Sequence, residues 1–180
     1  RGETDLYKIW ISEVMLQQTQ VATVIPYYNK WINKYPSLLD VAKASEEEIL
    51  KYWEGLGYYS RARNFQHACK DIQKNFNGKI PKSSKNFINL KGVGDYVCAA
   101  VQSIAFNHNI ACVDGNVRRV MSRLLCINTN KKKNNDRMRS LLNQWIQRCS
   151  PADFNQAMMD LGRTICKPKN PDCLICVIVS

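Results

Sequence analysis

The sequence predicts an all-α protein. Apolar residues recur at three- and four-residue spacing along most of its 180 residues. No run alternates apolar and polar residues as a half-buried strand does, and no hairpin dipeptide joins two apolar runs. Helix start and stop signals punctuate the chain at regular intervals. At 45% apolar residues it has enough material for a core, which excludes wholesale disorder. Its length suits one compact domain or two small helical lobes.

The elements follow in order. Leu6–Gln17 reads as a mostly apolar helix, and a second runs from about Gln20 to Lys34 with Pro26 as a bend or late start. Ser45-Glu46-Glu47-Glu48 forms a capping box, with Ile49, Leu50, Tyr52 and Trp53 on the buried face behind it. Gly55-Leu56-Gly57 ends that helix. Tyr58–Phe76 is a long basic amphipathic helix stopped by Gly78. Ser83 or Ser84 caps a short helix ending near Leu90, and Asp95–Phe106 is the next. Gly115–Leu125 and Met138–Arg148 are helices, separated by Asn128–Asn135, read as a mobile surface loop. Ser150-Pro151 opens the last long helix, with Pro in its favoured first-turn position.

The net charge is +11 and is unevenly spread. Residues 61–139 hold sixteen Lys/Arg against four acids, a net of +12, whereas the remainder carries ten basic and eleven acidic residues. A one-sided excess of this size points to a polyanion partner, most simply nucleic acid. No apolar run approaches the roughly 18 residues of a membrane span, and the first twenty residues lack the layout of a secretory signal. Of eight cysteines, Cys69, Cys98, Cys112, Cys126 and Cys149 stand singly in apolar or amphipathic stretches and read as buried free thiols, which fits a reducing compartment.

Four features carry chemistry. Leu90-Lys91-Gly92-Val93-Gly94-Asp95-Tyr96 lies between two helices; its glycines allow a tight turn and leave amides exposed at a helix start. That is a helix-hairpin-helix signature, suited to gripping a phosphate without reading sequence. Glu13 is a lone carboxylate in the apolar run Ile9–Leu16. Burial would raise its pKa and suit it to act as a general acid, while on structural grounds alone it could lie on an exposed stripe. Asp114, in VDGNVRRV at 113–120, stands where a helix begins. It could simply cap that helix or, ionised and facing a cleft, stabilise a developing cation. Glu13 and Asp114 would then divide acid and anion roles as in glycosidic bond cleavage. Finally, Cys166, Cys173 and Cys176 have a metal or iron–sulfur spacing.

Together these residues resemble one family, the MutY-type adenine DNA glycosylases of the endonuclease III superfamily. The resemblance rests on the run from Ser12 to Tyr28 with its Gln17-Gln18-Thr19-Gln20, on Gly55–Asn64 (GLGYYSRARN), on VDGNVRRV, and on Phe154–Gly162 (FNQAMMDLG). It spans essentially the whole chain in order. It implies two helical lobes with DNA in the cleft between them. A six-helix lobe over 5–108 would carry the helix-hairpin-helix at about 84–106, and a cluster lobe would take 109–180 together with 1–4. Both candidate carboxylates would line that cleft.

The resemblance also implies a reaction and a set of roles. The enzyme would flip out adenine mispaired with 8-oxoguanine or guanine and remove it hydrolytically. Glu13 would protonate the base, Asp114 would stabilise the oxocarbenium-like sugar, and Asn116 would position water and Asp114. Gln18 and Tyr58 would wedge into the base stack, and Arg1 and Gln156 would line the adenine pocket. Gly92, Gly94, Arg61 and Arg63 would contact DNA. Tyr96 stands where bifunctional relatives carry a Schiff-base lysine, so the enzyme would be monofunctional and leave an abasic site. Cys166, Cys173 and Cys176 would hold a [4Fe-4S] cluster whose fourth cysteine is expected at position 182. The chain is therefore expected to be a fragment of a longer protein, lacking also a C-terminal 8-oxoguanine-recognition domain. Lys91 replaces the proline usual before the GVG turn, and Val177 one common after the third cysteine. The expected setting is a monomer acting on double-stranded DNA inside the cell, away from membranes: nucleus or mitochondrion in a eukaryote, cytoplasm or nucleoid in a bacterium. Two alternatives remain open, a thymine glycosylase for T:G mismatches and a non-catalytic DNA-binding module.

Overall fold

The computed structural model describes residues 3–178. About 65% of it is helix, and no strand occurs among the described residues, as the periodicity implied. Ten α-helices follow in order: α1 (Leu6–Leu16), α2 (Val21–Lys34), α3 (Leu38–Lys43), α4 (Glu46–Trp53), α5 (Ser60–Asn75), α6 (Ser84–Phe87), α7 (Asp95–Phe106), α8 (Gly115–Leu124), α9 (Lys132–Trp145) and α10 (Pro151–Thr164). The chain divides into two compact units, Arg1–Val101 and Gln102–Ser180. The division falls within α7, seven residues before the expected end of the first lobe, and it leaves Glu3 and Thr4 with the first unit.

Side-chain capping explains half of the α-helix starts. Asp5 accepts from the amides of Tyr7 and Lys8 to open α1, and Ser45 and Glu48 form the anticipated capping box of α4. Ser150 accepts from the Asp153 amide and Pro151 takes the first turn of α10. Pro26 is held inside α2, which begins at Val21. α3 was not anticipated. It spans only six residues, and its capping box pairs Ser37 with Asp40 in place of the usual Glu.

The Asn128–Asn135 stretch also differs from expectation: α9 begins at Lys132, so half of the supposed loop is helical. Its polar composition has weak helix propensity. Packing overrides that, because Met138, Leu142 and Ile146 are fully buried against Val117 and Met121. The rest of the stretch is tied down, with Arg118 donating to the Thr129 carbonyl at 3.1 Å and to the Asn135 side chain at 3.3 Å. α6 ends at Phe87, earlier than the sequence implied.

The first unit is built on aromatic rings. Trp10, Trp31, Trp53, Phe65 and Phe87 are all fully buried, each such side chain contributing about 1.5–3 kcal/mol or more by its removal from water. Trp10 meets Phe65 and Phe87 edge-on at 4.6 and 5.2 Å, and Trp31 meets Trp53 at 5.5 Å. The Tyr7 hydroxyl accepts from Trp31 Nε1 and donates to the Tyr35 carbonyl, which satisfies these three buried groups, whereas Trp10 Nε1 and the Tyr35 hydroxyl are buried without a hydrogen-bond partner among the described residues. Cys69, Cys98 and Cys112 are buried as expected; Cys126 and Cys149 are exposed, because each follows the end of a helix.

Candidate active site

Glu13 lies in the last turn of α1, on a residue that is only partly exposed. Burial pushes its carboxyl pKa up, and a hydrogen bond from Tyr96 pulls it partly back. The Tyr96 hydroxyl donates to Glu13 Oε2 at 3.0 Å. Tyr96 stands in the first turn of α7, so the turn before that helix aims it at α1. That turn is Gly92-Val93-Gly94, closed by the Val93 amide on the Leu90 carbonyl. Gly92 has φ +78°, and a Cβ there would sit 2.7 Å from Asn64 Cβ on α5, so only glycine fits. Gly92 and Gly94 are exposed, and their backbone faces solvent as phosphate binding requires.

Gln18 and Tyr58 share an uncommon backbone state. Both are non-glycine residues in the left-handed region, at φ 56° and 49°, and both are exposed. The loops that carry them are joined by Arg61, for which a DNA contact is expected from the resemblance. Arg61 is only 8% exposed. Its Nη1 donates to the carbonyls of Val14, Met15 and Gln17, and its Nη2 to the carbonyls of Leu56 and Gly57 and to Thr19 Oγ1. Both Nη groups are thus bonded inside the protein. Arg63 is exposed and pairs with Glu46 at 2.9 Å.

In the second unit Asp114 caps α8. Its Oδ1 accepts from the Val117 amide at 2.7 Å and its Oδ2 from Asn116 Nδ2 at 2.9 Å. Each oxygen keeps a further lone pair, so capping does not consume the carboxylate. Asn116 is held in turn by Arg119, whose Nη2 donates to Asn116 Oδ1 at 2.9 Å and to the Gly162 carbonyl at 2.6 Å. Arg119 Nε donates to the Cys166 carbonyl, which ties α8 to the end of α10. The segment leading to Asp114 is fixed by Asn155, which is 1% exposed. Its Oδ1 accepts from the Cys112 amide, and its Nδ2 donates to the Ile110 carbonyl and to Ser103 Oγ. Gln156, one residue on, is half-buried on α10. Arg1 lies outside the described residues.

The sequence singled out Glu13, Tyr96, Asp114 and Asn116 but not the residues that hold them. Arg119, Asn155 and Gly162 all lie inside the motif runs noted above, which was their only signal.

Cys166, Cys173 and Cys176 line one cavity of about 120 Å³ with Val120, Leu124, Ile165 and Pro171. Arg123 Nη1 lies 3.2 Å from Cys166 Sγ and also donates to the Lys167 carbonyl. Soft thiols lining one apolar pocket, with a cation beside one sulfur, suit an iron–sulfur cluster in kind. Among the described residues no group of three Cys, His, Asp or Glu converges to metal-binding distance. No helix among them is long and apolar enough to cross a membrane.

Comparison with known proteins agrees with this geometry. Over 187 residues the chain is 44% identical to the adenine DNA glycosylase of Rattus norvegicus, covering 100% of this chain and 36% of that protein. It is 43% identical to the adenine DNA glycosylase of Buchnera aphidicola subsp. Baizongia pistaciae, covering 97% of this chain and 50% of the relative. The chain thus spans between a third and a half of the length of these curated relatives. The structure of a thermostable thymine-DNA glycosylase superposes with a TM-score of 0.88 at 30% identity, covering 98% of this chain and 82% of that one. These names bear out the resemblance to the MutY-type glycosylases. Residues 11–148 match the family of HhH-GPD superfamily base excision DNA repair proteins, and the chain belongs to that superfamily.

Proposed function

We propose that this chain is the catalytic portion of a monofunctional adenine DNA glycosylase. It removes adenine mispaired with 8-oxoguanine or guanine from double-stranded DNA and leaves an abasic site. The observation that carries the reading is the Glu13–Tyr96 pair: a carboxyl raised in pKa by burial, hydrogen-bonded through one oxygen, is a proton donor. The identity to adenine glycosylases and the basic charge of residues 61–139 support the substrate.

The steps follow from the residues. The target nucleotide leaves the base stack, because the glycosidic bond is out of reach inside it. Gln18 and Tyr58 fill the space it vacates. Glu13 accepts the Tyr96 bond at Oε2, so Oε1 carries the proton to an adenine ring nitrogen. The protonated base departs with the electron pair of the C–N bond, and positive charge develops on the sugar. Asp114, held in place by the α8 amide and by Asn116, stabilises that charge. Water adds to the sugar carbon and releases a proton to solvent, completing hydrolysis. Tyr96 has no amine and forms no Schiff base, so strand cleavage does not follow. Gly92 and Gly94 grip a phosphate. Gln156 lines the adenine pocket. Cys166, Cys173 and Cys176, with a fourth ligand, would hold a [4Fe-4S] cluster, whose part would be to order a basic loop. The enzyme works as a monomer on DNA inside the cell.

A second reading, removal of thymine opposite guanine, is favoured by the structural likeness to a thymine-DNA glycosylase and is permitted by Tyr96. Single-turnover release decides between them, using duplexes with A opposite 8-oxoguanine, A opposite G, A opposite T, and T opposite G, each with and without alkali. Adenine release from the first two, with breaks only after alkali, is expected. Glu13→Gln should reduce release at least 100-fold while changing DNA affinity less than threefold, an estimate from the usual contribution of a general acid. Equal collapse of binding and release would make Glu13 structural.

A further inference from the structure

The Arg61 side chain is unusual in what it binds. Its acceptors are five backbone carbonyls and one hydroxyl, drawn from two separate loops. Val14, Met15 and Gln17 supply carbonyls from the end of α1, where the last turn has no internal donors and the helix dipole favours a cation. Leu56 and Gly57 supply the others from the turn before α5. Trp53 Nε1 donates to the same Gly57 carbonyl at 3.0 Å. The guanidinium also lies 5.3 Å from the Tyr58 ring and 5.5 Å from that of Trp53.

The residues held this way are the neighbours of Gln18 and Tyr58. Gln17 and Thr19 flank Gln18, and both bond to Arg61. Gly57 directly precedes Tyr58, and the Tyr58 ring faces the guanidinium. Both residues stand in left-handed backbone, a state that persists only where surroundings enforce it. A planar fork with five donors can span two loops at once; a lysine ammonium has three donors on one point and cannot.

We infer that Arg61 is a positioning residue that fixes the spacing of the Gln18 and Tyr58 loops, and so sets how strongly mispaired DNA is preferred over matched DNA. The inference rests on the reading of Gln18 and Tyr58 as residues inserted into the base stack. Arg61 acts through the two loops it holds. Its effect is on mispair selection, since non-specific binding depends on phosphate contacts made elsewhere.

The test uses the full chain in a Glu13→Gln background, so that bound substrate persists. Affinities for matched duplex and for duplex with A opposite 8-oxoguanine are measured at one salt concentration, along with 2-aminopurine fluorescence beside the mispair and thermal stability. Arg61→Lys is expected to lower the mispaired-to-matched affinity ratio at least fivefold and to diminish the fluorescence rise. Matched-duplex affinity should change less than twofold. In a Gln18→Ala/Tyr58→Ala background the same substitution should cause no further loss of the ratio. Thr19→Val, which deletes one acceptor at no change in shape, should act in the same direction by about twofold and serves if Arg61→Lys does not fold. An unchanged ratio with lowered stability would make Arg61 merely structural and overturn the inference, as would a full Arg61→Lys effect in the doubly substituted background. A parent chain with no mispair preference would instead overturn the glycosylase reading, and this inference with it.

Discussion

Gly162→Ala is the substitution whose effect the structure defines most closely. Gly162 sits on α10 where that helix crosses the start of α8. An added Cβ would lie 2.7 Å from Asn116 Cβ and 3.0 Å from both the carbonyl carbon and oxygen of Asn116. Carbon atoms rest comfortably at about 3.5–4.0 Å, so the helices must part locally by close to an ångström. Two of the three contacts are backbone, so no side-chain rotation relieves them. The Arg119 bridge resists separation as well, since it bonds both Asn116 Oδ1 and the Gly162 carbonyl. Overpacking of this kind costs about 1–3 kcal/mol, which for a chain of this size lowers Tm by roughly 2–4 °C per kcal/mol. A midpoint loss of about 4–8 °C is therefore expected near 2 kcal/mol. The displacement reaches chemistry through Asn116 Nδ2, whose bond to Asp114 Oδ2 is 2.9 Å and cannot survive a shift of that size. Losing one charge-assisted hydrogen bond on a charge-stabilising carboxylate corresponds to about tenfold or more in rate. Differential scanning calorimetry and single-turnover adenine release, read at a temperature where the variant is fully folded, check both parts. Parental stability would refute the packing argument. Lowered stability with a parental rate would show that the position of Asn116 does not govern Asp114.

Two further predictions follow from the first unit. Tyr96→Phe removes the bond that pulls the Glu13 pKa down and leaves burial acting alone, so that pKa rises; because the protonated acid is the active form, the alkaline fall in base release should move to higher pH, and an unmoved or lowered limb in the rate–pH profile would count against Glu13 as the acid. Gly92→Ala forces an alanine to φ +78° and sets its Cβ 2.7 Å from Asn64 Cβ, so affinity for any duplex should fall about tenfold with a shallower salt dependence in fluorescence anisotropy titrations.

Much of the fold was legible because its signals are local. The capping box at Ser45, the Ser150-Pro151 start and the full extent of α7 could each be read within a few residues. α3 and the start of α9 were not, since one is a six-residue helix and the other is held by packing of Met138 and Leu142 rather than by propensity. The site divides the same way. Glu13 stood out as a charge in an apolar run, and Asp114 as a residue before a helix. Their partners are distant: Tyr96 meets Glu13 across 83 residues. Arg61, in a basic amphipathic helix, reads as a surface residue, yet it is buried. Nothing near it in sequence announces the three carbonyls arriving from the end of α1.

Asn155 gives the site a particular kind of dependence. Residues 107–114 have no regular structure, so no repeating backbone pattern dictates their path. Their shape is stored in a side chain instead: one buried amide reads Cys112 with its oxygen and Ile110 with its nitrogen. An amide is the only group of that size that offers an acceptor and two donors in one plane. A carboxylate would set oxygen against the Ile110 carbonyl, and leucine would strand both backbone groups. The cap of α8 thus inherits its place from α10, and the identity of one residue in the later helix is written into the position of Asp114 about forty residues earlier in the chain.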